Sequence, residues 1–185
     1  MIDDLISDAS RRMDKSVDST QHEFNTVRTG RASAALLDRI SVDYYGQQTP
    51  LQQLATINVP EPRLLTIQPF DPNSIREIER AIQESELGLT PSNDGKVIRL
   101  PIPQLTEERR KELVKIVRQI AEDGKVAIRN VRRDADKHLK DLKTKGEVGE
   151  DEERRAEDRV QKLTDEHTGK IDDLLKRKEA EITEV

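Results

Sequence analysis

All eight prolines of this 185-residue chain fall between Pro50 and Pro103, and that confinement decides what the rest can become. Proline lacks the amide hydrogen that a helix interior needs, and its ring clashes with the preceding turn. The proline-free flanks can therefore run as long uninterrupted helices, whereas the middle cannot. The apolar residues agree with this division. From Ile2 to about Thr29, the residues Ile2, Leu5, Ile6, Ala9, Met13, Val17, Phe24 and Val27 recur at steps of about three and four, the signature of an amphipathic helix. Gly30 follows, the residue type that most readily takes the left-handed conformation closing a helix.

Between Arg31 and Leu105 the helical period disappears. Segments 39–45, 55–59, 64–68 and 96–100 alternate β-branched with polar residues between proline and glycine turns and are predicted as strands. One helix is predicted among them: Asp71 can cap it, Pro72 suits its first position, Ile75, Ile78 and Ile82 share a face, and Gly88 lies past its end. From Thr106 the helical pattern returns and runs to about Lys145, with Leu113, Val117, Ile120, Gly124, Ala127, Val131, Ala135 and Leu142 on one stripe. Residues 145–149 carry two glycines and predict a reversal into a last helix, striped by Ala156, Val160, Leu163, Ile171, Leu174 and Ile182.

Each of the three flank helices has one apolar stripe, and none can bury it alone, so they are expected to form an antiparallel bundle. The expected fold is α+β: an elongated three-helix bundle made of residues 1–30 and 106–185, with a small β/α/β domain, 31–105, inserted between its first two helices. The insertion joins the bundle through two short crossings, an expected hinge at Gly30, Arg31, Gln104 and Leu105. Charged residues make up 37% of the chain and hydrophobic residues 33%, too polar for a single globule but ordinary for long helices with one buried stripe each.

Several function classes are excluded at this level. With no cysteine there is no disulfide framework, thiolate metal site or cysteine nucleophile, which suits a reducing cytoplasm. The start, Met1-Ile2-Asp3-Asp4-Leu5, is acidic where secretory and transit signals are basic, and no apolar run is long enough to span a bilayer, so a soluble cytoplasmic protein is expected. The sequence carries no glycine-rich phosphate loop, HExxH or GxSxG motif, and no enzyme, cofactor or metal is expected. His22 is expected on the solvent side. His138 and His167 fall on the apolar stripes of consecutive helices and could approach each other, but two imidazoles are too few for a tetrahedral zinc site, and packing is the expected role of both.

The strongest signal for binding is electrostatic. The chain has a net charge of −5, yet between Arg109 and Lys140 eleven lysines and arginines face five acids. Arg118, Lys125, Arg129 and Arg132, with Arg133 beside them, are expected on the helix face opposite the apolar stripe, and no acid occurs between Gly124 and Arg133. Such a strip suits phosphate oxygens, which arginine forks bind in pairs. It is equally consistent with a solvated face whose arginines pair with acids on the same helix or the last one. Phe24, Tyr44, Tyr45 and Phe70 are the only aromatic residues, too few for platforms that stack single-stranded bases. A rigid rod with a basic strip would read backbone shape in folded RNA.

Four motifs, Arg28-Thr29-Gly30-Arg31-Ala32, Asp43-Tyr44-Tyr45-Gly46 with Thr49-Pro50-Leu51, Leu105-Thr106-Glu107-Glu108-Arg109-Arg110-Lys111 and Arg129-Asn130-Val131-Arg132-Arg133-Asp134-Ala135, stand in this order along the chain. Together they resemble the ribosome recycling factor family over essentially the whole length. The resemblance implies an L-shaped, non-enzymatic, monomeric factor. It implies binding to large-subunit ribosomal RNA in the post-termination 70S ribosome, and subunit separation driven by elongation factor G with GTP. Carried onto the matching motifs, it implies RNA contacts by Arg28, Arg31, Arg129, Arg132 and Arg133, and the helical wheel adds Arg110, Arg118 and Lys125. A competing expectation from another class is a helical scaffold or chaperone that binds protein partners without RNA. A metal enzyme built on His138 and His167 is a third.

Overall fold

The computed structural model describes residues 1–183. In chain order it contains α1 (Ile2–Asn25), β1 (Ser41–Tyr44), β2 (Gln47–Pro50), β3 (Ala55–Glu61), β4 (Leu64–Pro69), α2 (Ile75–Glu84), β5 (Ser92–Asn93), β6 (Ile98–Pro101), α3 (Glu107–Thr144) and α4 (Glu150–Thr183). Two compact units are formed. The first combines Met1–Glu23 with Lys115–Ala180, and the second holds Phe24–Val114 and, of the described residues, 181–183.

In the first unit, α1, α3 and α4 bury one stripe each. On α3 the buried positions are Val117, Ala121, Gly124, Ile128, Val131, Ala135, Leu139 and Leu142. Their average step is about 3.6 residues, the period of a straight α-helix. The predicted stripe followed a seven-residue repeat through Ile120 and Ala127, which drifts by about 20° per heptad on a straight helix. Those two residues are half-buried, and Ala121, Ile128 and Leu139 occupy the seam instead. The same drift puts His138 in solvent, so the expected approach of His138 to His167 does not occur. The helices pack tightly at Gly124, where an added Cβ would lie 2.3 Å from Thr20 Oγ1 and 3.0 Å from Ile171 Cδ1. Exposed ion pairs bridge the helices at the rims: Arg12 with Asp134 at 2.9 Å joins α1 to α3, and Arg159 with Asp3 at 3.1 Å joins α4 to α1.

In the second unit, β3, β4, β6 and β5 form an antiparallel sheet in that order, and β1 with β2 form a separate hairpin. Leu65 and Ile67 of β4 and Ile98 and Leu100 of β6 point to the core with Ile78 and Ile82 of α2, as the strand and helix periods require. The hairpin turn is Tyr45-Gly46, both left-handed at φ 50° and 83°, the two-residue geometry whose twist matches the flanking strands. β2 and β5 were absent from the predicted strands. Gln47-Gln48-Thr49-Pro50 and Ser92-Asn93 lack buried apolar alternation and are defined by their pairing partners. The predicted cap is present: the Asp71 carboxylate accepts from Asn73 N–H at 3.0 Å, and a 3₁₀ turn at Pro72–Ser74 leads into α2. Helix α1 ends at Asn25 rather than near Thr29. A backbone bond from Val27 N–H to the Phe24 carbonyl closes it, and Gly30, at φ 81°, lies in the connection beyond.

Candidate nucleic-acid interface

The expected basic strip exists, but it lies elsewhere on α3 than the face opposite the core. Arg118, Lys125 and Arg132 are seven residues apart, and this spacing carries them along the flank that faces α4. Helices α3 and α4 run antiparallel, and acids on α4 at the same interval meet them. Arg118 Nε lies 2.7 Å from Glu179 Oε1, and Lys125 pairs with Asp172. Lys125 is the more enclosed of these two cations, with 20% of its side chain exposed, whereas Arg118 keeps 64%.

The pattern changes further along the seam. The guanidinium of Arg132 donates to Gln161 Oε1, a neutral acceptor, at 3.4 Å, and the amide of Gln161 donates to Asp165 at 2.9 Å. Asp165, the carboxylate nearest the register of Arg132, is thereby held by an amide. Asp136, one turn on, acts on Arg132 through space, but its buried Oδ1 has no hydrogen-bond partner. Arg129 pairs within its own helix with Glu122 at 3.2 Å. Arg133 is exposed and has no ion-pair partner among the described residues. Compensation therefore falls off from Arg118 and Lys125 toward Arg132 and Arg133.

The remaining expected contact residues lie in the second unit. Thr106 caps α3, its hydroxyl accepting from Arg109 N–H at 3.1 Å, and places Arg110 in the first turn, half-buried with a buried Nε that has no partner. Arg28 is half-buried between α1 and Gly30, and Arg31 is exposed. An added Cβ at Gly30 would lie 3.3 Å from Leu105 Cγ, so two of the expected hinge residues adjoin each other.

Burial, with its loss of hydration, pushes the Asp136 and Glu157 carboxyls on α3 and α4 above their ordinary range; Arg132 opposes this at Asp136, and Glu153 adds to it at Glu157. Asp71 moves the other way, held down by the Asn73 N–H and then by the Tyr44 hydroxyl, with Tyr45 adding a weaker bond. His167 is buried, one ring nitrogen 2.7 Å from the Leu163 carbonyl and the other 2.7 Å from Asp14 Oδ1, which ties α4 to α1. Among the described residues no cluster of histidines and carboxylates is arranged to hold a metal, and no helix is long and apolar enough to cross a membrane.

The chain is thus mixed α+β, with a long helical hairpin that carries the cation strip and a small sheet unit, and its relatives of this architecture are translation factors. The ribosome recycling factor model matches residues 20–183. The chain is 57% identical to the ribosome-recycling factor of Rubrobacter xylanophilus, with 97% of each protein covered. It is 56% identical to that of a Geobacillus species over the whole of both. Two solved structures share the fold. A solution structure of ribosome recycling factor aligns with a TM-score of 0.82 at 44% identity, covering 100% of this chain and 98% of the other. The T. thermophilus ribosome recycling factor, described with E. coli elongation factor G on the E. coli post-termination complex, aligns with a TM-score of 0.71 at 48% identity over 98% of each. This chain belongs to the ribosome recycling factor family.

Proposed function

We propose that this protein is a non-enzymatic cytoplasmic factor that binds the post-termination 70S ribosome and, with elongation factor G and GTP, promotes separation of the subunits. The observation that carries its mode of binding is the falling compensation along α3: Arg132 hydrogen-bonds only a neutral amide and Arg133 has no ion-pair partner among the described residues, on an otherwise acidic protein, while neighbouring Arg129 is held by Glu122 of its own helix. Arginines so placed can exchange a weak amide or solvent contact for a phosphate fork with little loss. Arg28, Arg31 and Arg110 join them as RNA contacts, and Arg118 and Lys125 contribute after their own pairs open. The insertion turns about Gly30, Arg31, Gln104 and Leu105, so that the bundle anchors while the small domain receives the push of the translocase. Gly30 supports this role because its left-handed backbone, at φ 81°, strains any residue with a side chain.

The test is cosedimentation with vacant 70S ribosomes across a salt series. Wild type should bind saturably. Arg132→Glu and Arg129→Glu, shown to be folded by circular dichroism, should bind at least about tenfold more weakly and with a shallower salt slope, because each removes a phosphate contact and the counterion it releases. Unchanged binding by both variants would take the strip off the RNA.

A further inference from the structure

We infer that Asp172, Glu179 and Gln161 on α4 set the affinity of the cation strip, the two acids by competing with ribosomal phosphates for Lys125 and Arg118, and the amide by leaving Arg132 open to them. The inference rests on the strip being the RNA-binding face. It assigns a role to a helix that supplies none of the proposed contacts.

The argument begins with register. Asp172 and Glu179 repeat at the same seven-residue interval as Lys125 and Arg118, so both pairs close across one antiparallel seam. Continued by one heptad, that pattern would bring Arg132 to the level of Asp165. There Gln161 intervenes, accepting from Arg132 at 3.4 Å and donating to Asp165 at 2.9 Å. The seam thus couples two cations to carboxylates and leaves the third on a neutral oxygen.

Exposed ion pairs of this kind are weak, because water screens them and two long side chains must be held in one geometry. A phosphate arriving at Arg118 or Lys125 must displace a carboxylate and then remain close to its like charge. At Arg132 the hydrogen bond it displaces is to an amide, and the one carboxyl acting on Arg132, that of Asp136, does so through space without a hydrogen bond. The α4 side chains therefore grade the strip, strongest at Arg132 and weakest at Lys125, and temper the total. For a factor that must leave the ribosome after each round, tempered affinity has a direct use in a faster dissociation rate.

The variants Asp172→Asn, Glu179→Gln and Gln161→Glu, with Asp173→Asn as a control, separate this from its alternatives. Asp173 is an exposed neighbour with the same charge and no strip cation bonded to it among the described residues. Dissociation constants for vacant 70S ribosomes are measured at fixed salt. Removing each competing acid should tighten binding by roughly two- to fivefold, the range that an exposed pair supports. Gln161→Glu should weaken it by a similar factor, and Asp173→Asn should leave it unchanged. Weaker binding in Asp172→Asn and Glu179→Gln would mean that the acids hold the cations in place for RNA, and would overturn the inference. Equal tightening in Asp173→Asn would reduce the effect to net charge and overturn it as well. If Arg132→Glu still weakens binding while the α4 variants have no effect, the inference falls and the RNA-binding reading stands. If Arg132→Glu is also silent, both fall.

Discussion

Gly124→Ala is expected to destabilise the bundle, although alanine is the better helix former by about 1 kcal/mol in an exposed site. The added Cβ would stand 2.3 Å from Thr20 Oγ1, 3.3 Å from Thr20 Cβ and 3.0 Å from Ile171 Cδ1. The Ile171 methyl is the end of a flexible chain and can retreat. Thr20 cannot do so cheaply: it is buried, its hydroxyl donates to the Ser16 carbonyl at 2.8 Å, and a χ1 rotation would break that bond while leaving its Cβ in the way. Overpacking of this kind costs about 1–3 kcal/mol against a propensity gain of about 1 kcal/mol, so the net expectation is a loss of up to about 2 kcal/mol. Urea unfolding followed by circular dichroism at 222 nm reads the change as a lower midpoint, since most of the helix lies in this unit. The decisive comparison is the double variant Thr20→Ala/Gly124→Ala. Removing the hydroxyl relieves the shortest contact, so the two changes should couple favourably by about 1 kcal/mol, within the range for residues that touch. A Gly124→Ala protein at least as stable as wild type would refute the claim that Gly124 permits the close approach of α1 to α3. So would a double variant whose loss is the sum of the two single losses.

Two further outcomes follow from other parts of the molecule. Because burial raises the Asp136 carboxyl in the folded protein, its contribution to stability is fully present below the unfolded carboxylate pKa of about 4 and is lost as pH rises through the folded value. Asp136→Asn should therefore raise the urea midpoint at pH 7, the gain shrinking to nothing below about pH 4; a gain that is constant with pH would assign it to packing. At the proposed hinge, Gln104→Pro stiffens a crossing at an exposed position. It should leave ribosome binding intact and slow subunit separation by elongation factor G and GTP, as light scattering would show, whereas an unchanged rate would remove the hinge from the mechanism.

How much of this was legible in the sequence depends on how far each feature is local. The proline confinement and the helical spacing of apolar residues placed the three long helices, because both are properties of neighbouring residues. The Asp71 cap and the glycine reversals were legible for the same reason. Strands β2 and β5 were not: their residues are polar and exposed, and only a partner strand several residues away defines them. The stripe on α3 was read in the right direction but with the wrong step. A heptad and a straight helix agree over two turns and part company over 38 residues, which is how Ile120 displaced Ala121 and His138 displaced Leu139 in the prediction.

The same error bears on the site. A strip placed opposite the core would face solvent alone, and its cations would be equivalent. Placed on the α4 flank, they acquire partners that the sequence of α3 cannot reveal, because the pairing requires the register of a helix some 30 to 60 residues away. Charge composition identified the eleven cations between Arg109 and Lys140 but not their differences. Those differences follow from single positions on α4: a carboxylate at 172 and 179 closes the pair, and an amide at 161 leaves it open. Exposed pairs differ by a fraction of the energy of a phosphate contact. The seam therefore cannot decide whether the strip binds RNA, but it can decide which of its arginines binds first. On the proposed RNA-binding reading, Arg132 and Arg133 are therefore expected to contact phosphate first, and Lys125, which must leave Asp172, last.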